Sequence, residues 1–239
     1  MSNSYFRFKQ FTINQDKCAM KVGTDGCLLG GWFNTTGCKR ILDIGCGSGL
    51  IALMAAQRCN AWITGIEIDN EAAVQATENV NNSPWKERIE VINCDAFEFT
   101  SADLFDTIVS NPPYFVNSLK CDDTSRTLAR HSDSLDSNGF FNIADRLLTS
   151  TGRIAIIIPT DIFIEWQQSA ESNGFKATRI TYVKTTPRKA AKRVLAEFTR
   201  TDQSTQNIQE QTLILENSPG KYTCEAKEIL RDFYLKITQ

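Results

Sequence analysis

The 239-residue chain carries 26 Lys and Arg against 28 Asp and Glu, a formal net charge of −2, with 41% hydrophobic and 23% charged residues. This is the make-up of one large or two small folded units that can bury a core without metal or disulfide, and it excludes disordered, collagen-like and small stapled chains. A slightly acidic balance lacks the basic excess typical of nucleic-acid binders, while leaving room for a local basic patch. The best apolar run, Ile154–Ile158, is far too short to cross a bilayer. Met1–Gln10 mixes aromatic, polar and basic residues with no apolar signal core, so a cytoplasmic location is expected. The cysteines at Cys18, Cys27, Cys38, Cys46, Cys59, Cys94, Cys121 and Cys224 contain no C-x-x-C pair and read as reduced, small apolar side chains. With a single histidine, His131, no metal site is expected.

From residue 40 onward, short β-rich runs alternate with helical stretches. Arg40–Ile44 is the first predicted strand and Leu50–Cys59 the first helix, with Leu50, Leu53 and Met54 at helical spacing. Trp62–Ile68 is the next strand, followed by a helix over Glu71–Val80 with Asn70 as its cap. Ile89–Asn93 and Phe105–Ser110 are further strands. Polar Lys120–Asn138 is long enough to mark a functional or disordered loop. A helix comes next over Gly139–Leu148, then the strand Arg153–Ile158 and a helix over Asp161–Ser172 that stops at Asn173-Gly174. Thr178–Lys184 and Val194–Thr199 have no room for a helix between them and predict an antiparallel hairpin at one edge of the sheet. Thr201–Gln211 is polar and reads as a loop. Strands that are continuous apolar runs, separated by helices, define a doubly wound α/β fold with a mostly parallel sheet in a single domain.

Chemistry gathers at the carboxyl ends of these strands. Leu42-Asp43-Ile44-Gly45-Cys46-Gly47-Ser48-Gly49 closes the first strand and opens the first helix, with glycines where a backbone must turn tightly or approach a ligand. A dinucleotide fingerprint needs its third glycine at position 50, which is Leu50, so a nicotinamide cofactor is disfavoured; a plain strand-to-helix turn is the competing reading. Glu67 ends the second strand and Asp95 comes just after the third. Carboxylates at successive strand ends face the crevice where open α/β sheets bind ligands, although each alone reads equally well as a solvated helix cap.

The loop at 42–49 with Asp43, Gly45, Gly47 and Gly49, together with Glu67 and Asp95-Ala96, resembles the class I S-adenosylmethionine-dependent methyltransferases. That resemblance implies a Rossmann-like seven-stranded sheet with an antiparallel edge hairpin. It also implies that the glycine loop packs on the methionine part of the cofactor, that Glu67 binds the ribose hydroxyls, and that Asp95 and Ala96 flank the adenine.

Phe105–Ser110 runs into Asn111-Pro112-Pro113-Tyr114. A Pro-Pro pair elsewhere would be only a stiff loop. At a strand end beside the glycine loop it matches the N-P-P-Y motif of methyltransferases that act on planar amino nitrogens, in adenine, cytosine or a glutamine amide. The chemistry suits these residue types. A conjugated amine has little lone-pair density on nitrogen; the Asn111 oxygen and a backbone carbonyl near Pro112 can accept its N–H bonds, favouring a more nucleophilic nitrogen, on a rigid support. Tyr114 can stack on the base for about 1–3 kcal/mol. Duplexed bases would need flipping, whereas RNA loops present them cheaply.

Outside these motifs, Lys21–Gly30, Leu128-Ala129-Arg130-His131, Lys192–Phe198 and Asp232–Leu235 make nearly the whole chain similar to the bacterial tRNA(Val) adenine-37 N6-methyltransferases. The resemblance implies N6-methyladenosine formation in a tRNA anticodon loop. It divides the single domain into a segment, 1–39, that covers the cofactor and substrate, a core at 40–200 and an extension at 201–239. It also implies that Gly23, Thr24 and Asp25 lie over the cofactor and that Arg126, Arg130 and His131 border the base. Arg188, Lys189, Lys192 and Arg193, in and beside the hairpin turn, are candidate phosphate contacts, with an ordinary solvated surface as the alternative. The competing substrates are a release-factor glutamine, whose enzymes usually carry an extra N-terminal helical domain, and amino groups of rRNA or DNA.

Overall fold

The computed structural model describes residues 3–113, 135–203 and 207–237. An N-terminal hairpin, β1 (Tyr5–Arg7) and β2 (Thr12–Asn14), precedes helix α1 (Thr24–Trp32). The core then alternates β3 (Arg40–Ile44), α2 (Leu50–Arg58), β4 (Trp62–Glu67), α3 (Asn70–Asn81), β5 (Ile89–Asn93) and β6 (Phe105–Ser110). Helix α4 (Ser137–Leu147), β7 (Leu148–Pro159), α5 (Phe163–Ser172), β8 (Phe175–Lys184) and β9 (Arg193–Arg200) come after. The chain continues through β10 (Gln209–Ile214), a small hairpin of β11 (Glu216–Ser218) and β12 (Lys221–Tyr222), and α6 (Cys224–Leu230).

The main sheet has the order β10-β8-β9-β7-β6-β3-β4-β5. Every neighbouring pair is parallel except those made by β9, which runs against β7 and β8. Strands such as β7, with Ile154 to Ile158 all at 0% exposure, are buried on both faces, which is why they read as unbroken apolar runs. One core lies under the N-terminal hairpin, α1, α2 and α6, the other between the sheet and helices α4 and α5.

Helix α1 packs closely because its contact face is glycine. A Cβ at Gly30 would fall 2.6 Å from Met54 Sδ of α2, and one at Gly31 would fall 2.4 Å from the Ile229 carbonyl oxygen of α6. Small residues spaced this way leave a helix with no apolar stripe to read in the sequence.

Several expectations change. The sheet has eight strands, because Gln209–Gln211, expected as the end of a loop, begin β10 and pair in parallel with β8. The β8–β9 hairpin therefore lies inside the sheet, and β10 takes the edge; its exposed Gln209, Glu210, Gln211 and Thr212 join through backbone bonds that a polar composition does not reveal. The cap of α3 is Asp69, whose carboxylate accepts from Ala72 N at 2.8 Å, so Asn70 is already helical. Asp136 likewise caps α4 through Gly139 N, starting that helix two residues before Gly139. The rest of the expected 120–138 loop, residues 120–134, lies outside the described residues.

Candidate active site

Parallel strands bring the carboxyl ends of β3, β4, β5 and β6 to one rim, where the glycine loop, Glu67, Asp95 and Asn111 lie. Gly45 and Gly47 hold φ of +69° and +55°, and a Cβ at either position would meet nothing within 4 Å, so the loop borders open space. The loop is tied down from below and from the side. Gly45 N and Cys46 N donate to the Ile66 carbonyl, and Gly49 N donates to the Cys46 carbonyl. Glu67 joins it to the next strand: its Oε2 accepts from Gly47 N at 2.8 Å and its Oε1 from Asp69 N at 3.0 Å.

Asp43 lies beneath the loop at 0% exposure. One carboxylate oxygen accepts from Ala52 N at 3.1 Å in the first turn of α2, and the other has no hydrogen-bond partner among the described residues. Burial pushes its carboxyl up to about 7, with the Ala52 bond opposing and nearby Glu67 adding to the rise. Asp95 turns its own loop, accepting from Phe97 N at 2.9 Å. Asn93, at the end of β5, donates to the Glu67 and Ile68 carbonyls, so the ends of β4 and β5 form one frame.

Two side chains at this rim were not picked out in the sequence. Ile68 and Phe97 come directly after Glu67 and Ala96 and are 64% and 45% exposed. Phe97 rests on Gly139, where a Cβ would come within 2.7 Å of the ring, and its carbonyl accepts from Arg146 at 3.2 Å. Large apolar groups left in water beside two acids are suited to a flat ring carrying hydroxyls; a hydrophobic residue just past each strand-end acid was the available signal.

Beside the glycine loop, Ser110 Oγ donates to the Ile44 carbonyl at 2.8 Å, locking the end of β6 to the end of β3. The next side chain is Asn111. Its Oδ1 is buried with no partner among the described residues. Pro112 behind it is buried and Pro113 is exposed. A rigidly held, unsatisfied acceptor at a ligand crevice is complementary to an N–H donor brought from outside. Tyr114, Arg126, Arg130 and His131 lie outside the described residues.

Gly23 caps α1 and, with Thr24, is exposed at the rim. Asp25 accepts from Arg193 Nε at 2.7 Å, so the structure brings together one residue expected at the cofactor and one expected at a phosphate. The β8–β9 turn projects from the same rim, since β8 ends there at Lys184 and β9 starts there at Arg193. Arg188, Lys189 and Lys192 are exposed on it. The arm is fastened to the end of β7: Thr160 N donates to the Lys192 carbonyl and Thr160 Oγ1 to the Ala191 carbonyl. Lys184 to Arg193 carry five cations and no carboxylate in a chain whose net charge is −2. The rim is thus polarised, with acids around the glycine loop and cations across from it.

Among the described residues no cluster of histidine, cysteine and carboxylate can hold a metal, every cysteine is unpaired, and no helix is long and apolar enough to cross a membrane.

A mostly parallel sheet with a glycine loop, strand-end acids and an Asn-Pro-Pro turn at one rim defines a class I S-adenosylmethionine-dependent methyltransferase. The model of the methyltransferase small domain matches residues 22–179. The chain belongs to that family, and within it to the family of the tRNA1(Val) (adenine(37)-N6)-methyltransferases. The relative of that name from Bacteroides thetaiotaomicron is 48% identical over 99% of this chain and 100% of its own. One from Yersinia pestis is 41% identical over 96% and 93%. Among solved structures, a predicted O-methyltransferase from Agrobacterium tumefaciens superposes with a TM-score of 0.68 at 21% identity, over 87% of this chain and 96% of that one. A ribosomal protein L11 methylase from Lactobacillus delbrueckii gives 0.52 at 17%, over 73% and 77%. These two likenesses are of fold.

Proposed function

We propose that this protein transfers a methyl group from S-adenosylmethionine to the exocyclic N6 of adenosine 37 in the anticodon loop of tRNA1(Val). The observation that carries the reading is the buried Asn111 Oδ1 at the end of β6, which has no partner among the described residues. The relatives' shared name gives the nucleoside in place of a release-factor glutamine.

The cofactor supplies an electrophilic methyl on a cationic sulfonium. We assign Glu67 to the ribose hydroxyls, Asp95, Ala96, Ile68 and Phe97 to the adenine, and Gly45, Gly47 and Gly49 to the close approach the methionine part would make. Gly23, Thr24 and Asp25 border this pocket. The acidic side of the rim suits a cofactor bearing positive charge. Asn111 Oδ1 accepts one N–H of the adenine amine, with the carbonyl near Pro112 as its second acceptor. Both draw the nitrogen lone pair out of conjugation toward the methyl group. Because Ser110 fixes the strand end and the two prolines stiffen the turn beyond it, these acceptors are set before the substrate arrives. Tyr114 is assigned to stacking, and Arg126, Arg130 and His131 to the border of the base.

Arg188, Lys189 and Lys192 are assigned to the phosphates flanking the flipped base, a local footprint that works in a chain of overall negative charge. Arg193, paired with Asp25, anchors that arm. We place the reaction in the cytoplasm, consistent with the unpaired thiols of the described cysteines.

The test is methyl transfer from labelled S-adenosylmethionine to unmodified tRNA1(Val), read by nucleoside mass spectrometry and mapped by nuclease digestion. N6-methyladenosine at position 37 supports the reading. Label on a release-factor glutamine, rRNA or DNA in place of tRNA overturns it.

A further inference from the structure

Helix α3 turns an unusual face toward the N-terminal segment: Gln75 and Asn79 are both 1% exposed, although each carries a carboxamide. Asn79 spends its whole side chain on two other parts of the molecule. Its Oδ1 accepts from Asn14 N at 2.9 Å, while its Nδ2 donates to the Asn14 carbonyl and to the Ser48 carbonyl of the glycine loop, each at 2.9 Å. Gln75 Oε1 accepts from Lys17 N at 3.1 Å, and the Lys17 ammonium pairs with Glu78 at 2.5 Å. Beyond Lys17 the chain passes close enough to Glu67 and Asp69 for their charge to add to the burial that pushes the Cys18 thiol up to about 11. Val22 N donates to Gln15 Oε1 at 2.7 Å, and the segment ends at Asp25, bound to Arg193. Residues 14–25 therefore form a strap along the acidic side of the crevice, fastened at both ends.

We propose that Asn79 is a positioning residue for the cofactor. Through one carboxamide it fixes a glycine-loop carbonyl and the root of the strap, so the floor and the side of the pocket hold one geometry. Cofactor affinity and residence time depend on that pair of donated bonds. Asn79 itself lies beneath the loop and acts through Ser48 and Asn14. The inference rests on S-adenosylmethionine being the cofactor, and it adds a residue to which no direct contact is assigned.

Asn79→Asp is the test variant. It keeps the shape and the acceptor for Asn14 N but loses both donated bonds. S-adenosylhomocysteine binding by calorimetry, its dissociation rate by stopped flow, and amide exchange over residues 14–18 and 47–49 are compared with the parent protein. We expect affinity to fall about tenfold through faster dissociation, exchange to rise in both segments, and tRNA affinity without cofactor to stay within about twofold. Ile154→Val, a core truncation in the middle of β7, is the control for general destabilisation. An unchanged affinity for S-adenosylhomocysteine, or a loss no greater than Ile154→Val produces at the same melting temperature, overturns the proposal. If Asn79→Asp does not fold, Asn79→Ala, which also loses both bonds donated to the Asn14 and Ser48 carbonyls, takes its place, and unchanged dissociation there overturns it equally. A parent protein that binds no S-adenosylhomocysteine overturns the cofactor reading and this inference with it; parent binding with unaltered variants overturns the inference alone.

Discussion

Removing the side chain of Asn111 separates activity from stability in a direction opposite to most buried substitutions. Asn111 Oδ1 is buried without a partner among the described residues, and its burial there has already taken that oxygen out of water. An unsatisfied buried acceptor costs about 1–3 kcal/mol. Asn111→Ala relieves that cost, and at about 2–4 °C per kcal/mol for a chain of this size the melting temperature should hold or rise by a few degrees. Turnover should do the reverse. The acceptor is made rigid by Ser110 and the prolines, and loss of one preorganised polar group at a reacting centre removes roughly 10²–10³ in rate. The assay is single-turnover methyl transfer to tRNA at saturating cofactor, with differential scanning fluorimetry and S-adenosylhomocysteine calorimetry on the same sample. Cofactor affinity should stay within about threefold, because Gly47, Glu67 and Asp95 are untouched. Turnover within tenfold of the parent refutes the assignment. So does a fall of several degrees in melting temperature, which would make Asn111 a structural residue.

Neutralising the arm with Arg188→Gln and Lys189→Gln should weaken tRNA binding and lower the slope of log affinity against log salt by about 1.5; an unaltered slope in filter binding puts the phosphate contacts elsewhere. Burial holds the Asp43 carboxyl at about 7 against an ordinary 3.8, so the folded state keeps a proton that the unfolded chain has released between those values. Its contribution is complete below about pH 4 and is lost as pH rises through about 7, a change of about 4 kcal/mol. Asp43→Asn should flatten that decline in urea unfolding between pH 5 and 8, and parallel curves for the two proteins would contradict the account. Gly31→Ala puts a methyl 2.4 Å from the Ile229 carbonyl oxygen, and the overpacking outweighs the helix propensity gained. Its melting temperature should drop by about 2–6 °C, and an increase would show that α1 and α6 move apart freely.

The strands nearest the reaction were the most legible. Arg40–Ile44 and Phe105–Ser110 fall where largely buried apolar runs put them, and the edge strand Ile89–Asn93 is bounded as expected although its Glu90 and Asn93 are exposed. Helix starts were displaced by one or two residues because the cap is chosen by which carboxylate reaches a backbone N–H, and Asp69 and Asp136 both reach. The first 39 residues offered little: strands of three residues and a glycine-faced helix carry almost no periodic signal. At the crevice, the glycine loop, the two strand-end acids and the Asn-Pro-Pro turn were all readable. Gln75 and Asn79 were not, because a carboxamide on a helix looks solvated until residues 14–17, distant in sequence, cross over it.

The N-terminal hairpin closes on the far end of the chain. Phe8 bridges to Tyr234, Lys9 N donates to the Phe233 carbonyl, and the Lys9 ammonium donates to the Arg231 carbonyl across 222 residues of sequence. That hairpin is also the root from which residues 14–25 leave toward the crevice. At synthesis rates of roughly 5–20 residues per second, its packing partner is made on the order of 10–40 s after it. A nascent chain with the glycine loop and the Asn-Pro-Pro turn already in place still waits for α6 and the residues beyond it before that root is anchored.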